Sequence, residues 1–83
     1  MSYEKVAQAN EVIIGTKQTL KSLESGTVLE VIVANDAERR VVQKVILSAE
    51  EKGVPVVYVD SMAKLGTACG IDVGAATVAL KKP

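Results

Sequence analysis

One short run in this 83-residue chain gathers the residue types that can hold an anion or hydrogen-bond the edge of a base: Gly15-Thr16-Lys17-Gln18-Thr19-Leu20-Lys21. It follows the apolar triplet Val12-Ile13-Ile14 and reads as a strand turning into a helix. The unpaired N–H groups and the positive dipole end of such a helix face outward. At about 100° per residue, Lys17, Gln18 and Lys21 share one sector, and Thr16, Thr19, Leu20 and Leu23 share the opposite one. The apolar sector must pack, so two ammonium groups and an amide project together. Like charges one turn apart cost ~0.2–0.5 kcal/mol, which an anionic partner would relieve. Gly15 permits close approach of another backbone or a ligand. On spacing alone, the competing account is an ordinary capped helix with a solvated polar face. A P-loop does not fit, because the glycine spacing and the Gly-Lys pair are missing.

A second candidate is Leu65-Gly66-Thr67-Ala68-Cys69-Gly70 and the loop after it, where Ile71, Asp72 and Val73 run up to Gly74. Apolar residues in a glycine-bounded loop either tuck into the core or wait for an apolar partner outside. Both readings stand at this point. Cys69 reads as a small buried residue at a helix end, where the dipole disfavours a thiolate. Arg39-Arg40 with Lys44 forms a basic stretch, but Asp36, Glu38, Glu50 and Glu51 surround it, and a solvated helix face is the simpler account.

Several classes of chemistry drop out. The chain has no His and a single Cys, so it can build neither a Ser-His-Asp nor a Cys-His arrangement, no ordinary zinc site and no internal disulfide. Nothing in it asks for a cofactor or identifies an enzyme. Ten acids balance ten bases, which argues against broad nonspecific attraction to polyanions. With only Tyr3 and Tyr58 aromatic, sheets that stack successive bases are disfavoured too. The start of the chain is polar, unlike a secretory leader, and no apolar run approaches the ~20 residues of a membrane span. The expectation is a cytoplasmic protein without membrane contact.

The elements that must position these residues alternate along one domain, residues 1–83. Ser2 caps a short first helix with Val6, Ala9 and Ile13 at helical spacing, or Val12 to Ile14 forms a strand. A second helix starts with Thr16 as its cap and ends at Ser25-Gly26. Val28 to Ala34, apolar except for Glu30, suits a central strand buried on both faces. Asn35 or Asp36 caps a third helix with the stripe Val41, Val42, Val45, Ile46 and Ala49, stopped by Gly53. Val54 to Val59 is a further buried strand, with Pro55 at its start. Ser61 caps a short helix through Met62, Leu65 and Cys69, and a last strand runs from Ala75 to Leu80. The order implies an α/β fold, a three-layer α/β/α sandwich around one sheet.

In the two glycine-containing motifs, and in Val54 to Leu80 almost throughout, the chain resembles the kink-turn-binding ribosomal proteins. That family includes the large-subunit proteins seven-Ae and thirty-e and small bacterial relatives. The resemblance spans the whole chain. It implies a mixed four-stranded sheet and binding to a sharply bent RNA with tandem sheared G·A pairs beside a bulge. It also implies that Gly15, Thr16, Lys17, Gln18 and Lys21 read the G·A step, and that Ile71, Asp72 and Val73 cradle the extruded bulge nucleotide. Lys17 and Gln18 stand where many archaeal members carry Asn and Glu, although thirty-e-type proteins share the Lys-Gln pair. Glu38-Arg39 replaces a frequent proline-containing turn, and Gly74 stands where some members have Pro. The expected partner is a kink-turn in ribosomal RNA, a messenger leader or a noncoding RNA, bound by a monomer that is ribosome-associated or free. The alternative is a protein-interaction module on the same fold.

Overall fold

The computed structural model describes residues 2–9 and 11–83. Their elements are α1 (Ser2–Gln8), β1 (Val12–Ile14), α2 (Thr16–Glu24), β2 (Val28–Ala34), α3 (Arg39–Glu51), β3 (Val56–Val59), α4 (Met62–Ala68) and β4 (Thr77–Lys81). The strands form one mixed sheet in the order β1-β4-β2-β3. β4 runs antiparallel to both β1 and β2, while β2 and β3 are parallel, as the right-handed crossover through α3 requires.

Period-two alternation along the central strands divides the core. Val31 and Val33 of β2 and Ala79 of β4 face α2 and α3, packing with Leu23, Val42, Val45 and Ala49. Ile32, Ala34, Val78 and Leu80 face the other way, toward Val6 of α1 and Leu65 of α4. This is the three-layer α/β/α sandwich expected from the element order. β2 is buried as expected except at its N-terminal end. There a register slip between Val28 and Glu30 turns Leu29 outward, and Glu30 pairs with Lys5 at 3.2 Å.

Helix ends follow the glycines. Gly26 and Gly53 sit at φ 73° and 69° after α2 and α3, the left-handed conformation that stops a helix. Ser61 caps α4 as expected, its hydroxyl accepting from the Lys64 N–H at 3.2 Å. The capping expected of the Ser2 side chain lies outside the described residues.

Four other boundaries move, two of them, at α3 and β4, because tertiary hydrogen bonds outcompete the local signal. Thr16 is the first residue of α2 rather than its cap, which is Gly15 at φ 103°. The N-cap position of α3 falls on Glu38, whose side chain makes no capping bond, and not on Asn35 or Asp36. The Asn35 N–H donates to the Val59 carbonyl at 2.7 Å, and the Asp36 carboxylate accepts from the Met62 N–H at 2.8 Å. β3 begins at Val56, because the Val54 N–H still closes the α3 turn on the Ala49 carbonyl at 2.8 Å. β4 begins at Thr77, because the Ala75 N–H donates to the Met62 carbonyl at 3.0 Å rather than to a strand. β3 is also less buried than its apolar sequence suggests, with Tyr58 half exposed, because it lies at the edge of the sheet.

Gly66, buried inside α4, lies directly against the backbone of the loop that follows the helix. A methyl group built there overlaps the Val73 carbonyl oxygen and meets the Val73 carbonyl carbon at 3.0 Å and the Gly74 Cα at 3.1 Å. All three are backbone atoms that no rotamer change can move. A glycine in a helix interior normally costs ~1 kcal/mol relative to alanine. Here the sign is expected to reverse. Gly66→Ala should destabilise the fold by about 2 kcal/mol or more through overpacking. Its thermal midpoint should fall by roughly 8–16 °C in a chain of this size. A raised midpoint would mean that the 71–74 loop is free to move off α4.

Candidate functional site

The Lys17, Gln18 and Lys21 side chains are all exposed on α2, whereas Thr19 and Leu23 are fully buried and Thr16 and Leu20 are partly buried. The sector division expected from helical geometry is the one observed. No described side chain caps this helix, and its first turn carries no acidic residue. Its N–H groups and dipole therefore meet solvent uncompensated. Gly15 reaches φ 103°, strained for any L side chain, and a Cβ there would meet nothing within 4 Å. The glycine thus both makes the turn and leaves the helix end open to approach.

The same end of the sheet carries the second motif. The Gly15 N–H donates to the Thr77 carbonyl at 2.9 Å, and the Thr16 and Thr77 hydroxyls lie 3.5 Å apart. Segment 71–76 leads directly into Thr77 and crosses the sheet end from the α4 layer to the α2 layer. It brings together two motifs that lie on opposite faces of the sheet and are separated by most of the sequence. Asp72 and Gly74 are exposed along it.

Ile71 and Val73 divide between the two readings left open above. Val73 is 70% exposed, an unusual position for a valine. Ile71 is only partly exposed and packs on the α1–α4 side of the core. Its N–H donates to the Gly66 carbonyl at 3.1 Å. Ile71 therefore anchors the loop, and Val73 is the apolar group it presents.

Residues that the sequence did not single out for the site hold its frame. Asp36 ties the β2–α3 loop to the start of α4, whose first carbonyl in turn binds Ala75. Gly74 packs against Met62, where an added Cβ would come within 3.2 Å of the Met62 Cβ. On the far side of α4, the Tyr3 hydroxyl donates to the Asp60 carboxylate and accepts from the Ser61 N–H at 3.1 Å. That hydrogen bond from Tyr3 holds the Asp60 carboxyl below the usual carboxylate range, with Lys64 at 3.7 Å adding to the effect. Desolvation and the same carboxylate raise the Tyr3 phenol. The only sequence signal for this buttress was the rarity of aromatic residues, since one tyrosine of two faces a carboxylate 57 positions away.

Little here suits covalent or metal chemistry. Burial pushes the partly buried Cys69 thiol up, away from the thiolate a nucleophile needs. Among the described residues, no group of three or more His, Cys, Asp or Glu side chains could hold a metal ion. No helix among them is long and apolar enough to cross a membrane. The arrangement instead offers an open, cationic, amide-bearing helix end beside an exposed apolar side chain on an anchored loop.

Comparison with known proteins finds relatives that match this chain nearly end to end. The chain is 70% identical over 82 residues to an RNA-binding protein of Halalkalibacterium halodurans, covering 99% of this chain and all of that one. It is 58% identical over 80 residues to the RNA-binding protein YbxF of Geobacillus stearothermophilus, covering 96% of this chain and 98% of the relative. Among solved structures, the Giardia lamblia 15.5kD RNA binding protein superposes with a TM-score of 0.87 at 30% identity, over 98% of this chain and 68% of that one. The model of the ribosomal protein L7Ae/L30e/S12e/Gadd45 family matches residues 2–83, and the chain belongs to that family.

Proposed function

We propose that this protein binds structured RNA through the end of its sheet and holds it in the kink-turn shape, without catalysing a reaction. The observation that carries the reading is the pairing of the exposed Lys17–Gln18–Lys21 sector, at an uncapped helix N-terminus, with the exposed Val73 on an anchored loop. A Gln amide can both donate and accept at a guanine edge, and a Lys can serve a base acceptor or a phosphate. Sheared G·A pairs in a kinked duplex expose purine edges that a regular A-form major groove hides. An extruded bulge base needs an apolar surface to rest on, and Val73 supplies one. RNA-binding relatives that match this chain nearly end to end support the partner class.

With a net charge of zero, the protein has little general attraction for RNA. Affinity must come from fit. Binding then acts by population: the bent RNA is favoured over the extended one by the difference in affinity for the two shapes. Ribosomal RNA, a messenger leader and a noncoding RNA would all supply the same motif to a monomer.

The direct test compares a kink-turn duplex with the same duplex carrying Watson–Crick pairs in place of its G·A pairs. The kink-turn is expected to bind at least tenfold more tightly, a difference of ~1.4 kcal/mol. Equal affinity would reduce the site to a nonspecific cationic surface.

Single substitutions separate the roles. Gln18→Ala should narrow the gap between the two duplexes, because the amide reads a base edge. Lys21→Ala should weaken both complexes and lower the salt slope by roughly one unit if it meets one phosphate. Val73→Ser should change stability by less than ~0.5 kcal/mol and still weaken RNA binding. Ile71→Ser should instead cost ~1 kcal/mol or more of stability, because that side chain packs on the core. Gel-shift titrations at several salt concentrations, with thermal melts, read all four. Unchanged RNA binding in both Gln18→Ala and Val73→Ser would exclude these groups as contacts.

A further inference from the structure

The chain contains two tyrosines, and the structure uses only one of them. Tyr3 is engaged with Asp60 and Ser61, whereas Tyr58 is 50% exposed on the edge strand β3. Tyr58 pairs with Val33 in the parallel β2–β3 register, so it faces the α3 layer. There, residues 39, 43 and 47 stand one turn apart along α3. Arg39, Gln43, Leu47 and Tyr58 border a groove of about 310 Å³ that opens at Asn35 and Ala37 in the β2–α3 loop. A guanidinium, an amide and an aromatic ring line it together with the apolar side chains of Val42, Ile46 and Leu47 on α3.

Among the described residues Arg39 and Lys44 pair with no carboxylate, whereas Arg40 pairs with Glu38. Arg39, Arg40 and Lys44 occupy the first turns of α3, and no acidic residue lies in its first turn. Asp36 is turned toward the start of α4, and Glu38 pairs with Arg40 at 3.8 Å. Glu50 and Glu51 sit at the other end of the helix, about 16 Å from Arg39 at 1.5 Å per residue. That exceeds the ~8 Å screening length in physiological salt, so they do not cancel the cationic end.

The groove also lies level with the proposed RNA site. Thr77, Val33 and Tyr58 form one row across the sheet, and Gly15 is bonded to Thr77 at the head of that row. Two strand spacings put Thr77 and Tyr58 about 10 Å apart. A stacked strand advances ~3.4 Å per nucleotide, so about three nucleotides span this distance.

We propose that the groove between α3 and β3 takes an unpaired nucleotide flanking the bound motif, with its base on the Tyr58 ring and its phosphate on Arg39. The site rests on the reading of the protein as an RNA binder, and it lies outside the residues assigned to the G·A pairs and the bulge. Stacking on one aromatic ring tolerates any base, while Gln43 can add a hydrogen bond to a base edge.

The test uses a blunt kink-turn duplex and four versions of it, each with four unpaired uridines added to one strand end. One extension is expected to raise wild-type affinity at least about fivefold, the lower end of what one stacked base contributes. Tyr58→Phe should keep that increment, because the ring remains. Tyr58→Ala should erase it while leaving affinity for the blunt duplex unchanged. Arg39→Ala should reduce both the increment and its salt dependence. Arg39 is exposed, so this variant tests the groove even if Tyr58→Ala folds poorly. No gain from any extension, or a gain that survives both alanine substitutions, overturns the proposal. The kink-turn reading fails separately, if the blunt duplex binds no better than its Watson–Crick control. The increment is still read by extending either duplex.

Discussion

The end of the sheet at which we propose RNA binding depends on the contact between Gly66 and the backbone of Val73 and Gly74. The Val73 carbonyl oxygen occupies the space that a side chain on residue 66 would need. Because it lies there, the 71–74 loop rests against α4 and its chain continues across the end of the sheet. The Ile71 N–H reaches the Gly66 carbonyl, the Ala75 N–H reaches the Met62 carbonyl, and β4 then starts at Thr77 beside Gly15. The first motif is thereby placed relative to the second by backbone bonds, with the Thr16 and Thr77 hydroxyls 3.5 Å apart beside them. Asp36 adds the β2–α3 loop to the same frame through the Met62 N–H. Three loops are held without any long side chain that could change rotamer, which suits a surface that recognises shape.

That geometry explains how a neutral chain can serve as an RNA binder. Cationic proteins draw on the phosphate backbone for affinity and pay with salt sensitivity and weak selectivity. Here ten bases are matched by ten acids, and the cations proposed to meet RNA lie along one face of α2 and in the first turns of α3. On the proposed reading, selectivity comes from a fixed pattern of polar and apolar groups that a bent RNA meets at once. The Tyr3–Asp60–Ser61 contact belongs to the same design, since it pins α1 to the start of α4 from behind.

Much of this was legible in the sequence where local physics decides. Helical geometry alone separated Lys17, Gln18 and Lys21 from Thr19 and Leu23. Gly26 and Gly53 stopped their helices where expected, and Ser61 capped α4. The kink-turn family resemblance pointed to the loop at 71–73 as a contact, where residue types alone leaned toward the core. The sequence was silent wherever a distant partner decides. Asp36 looks like a helix cap until the Met62 N–H takes its carboxylate. Ile71 and Val73 look equivalent until one packs and the other does not. Tyr58 sits in a run that reads as a buried strand, and its exposure follows from β3 lying at a sheet edge, a matter of strand order. The basic stretch at Arg39 reads as diluted, and Glu38 does pair with Arg40, but Glu50 and Glu51 lie at the far end of the helix.

The central claim is that the sheet end selects bent RNA over extended RNA. Fluorescence transfer between dyes on the two arms of a kink-turn duplex, without divalent cations, tests it most directly. On addition of protein, transfer should rise to that of the kinked form, with the same midpoint as binding measured by an independent signal. Saturable binding with transfer left at the value of the extended duplex would contradict it.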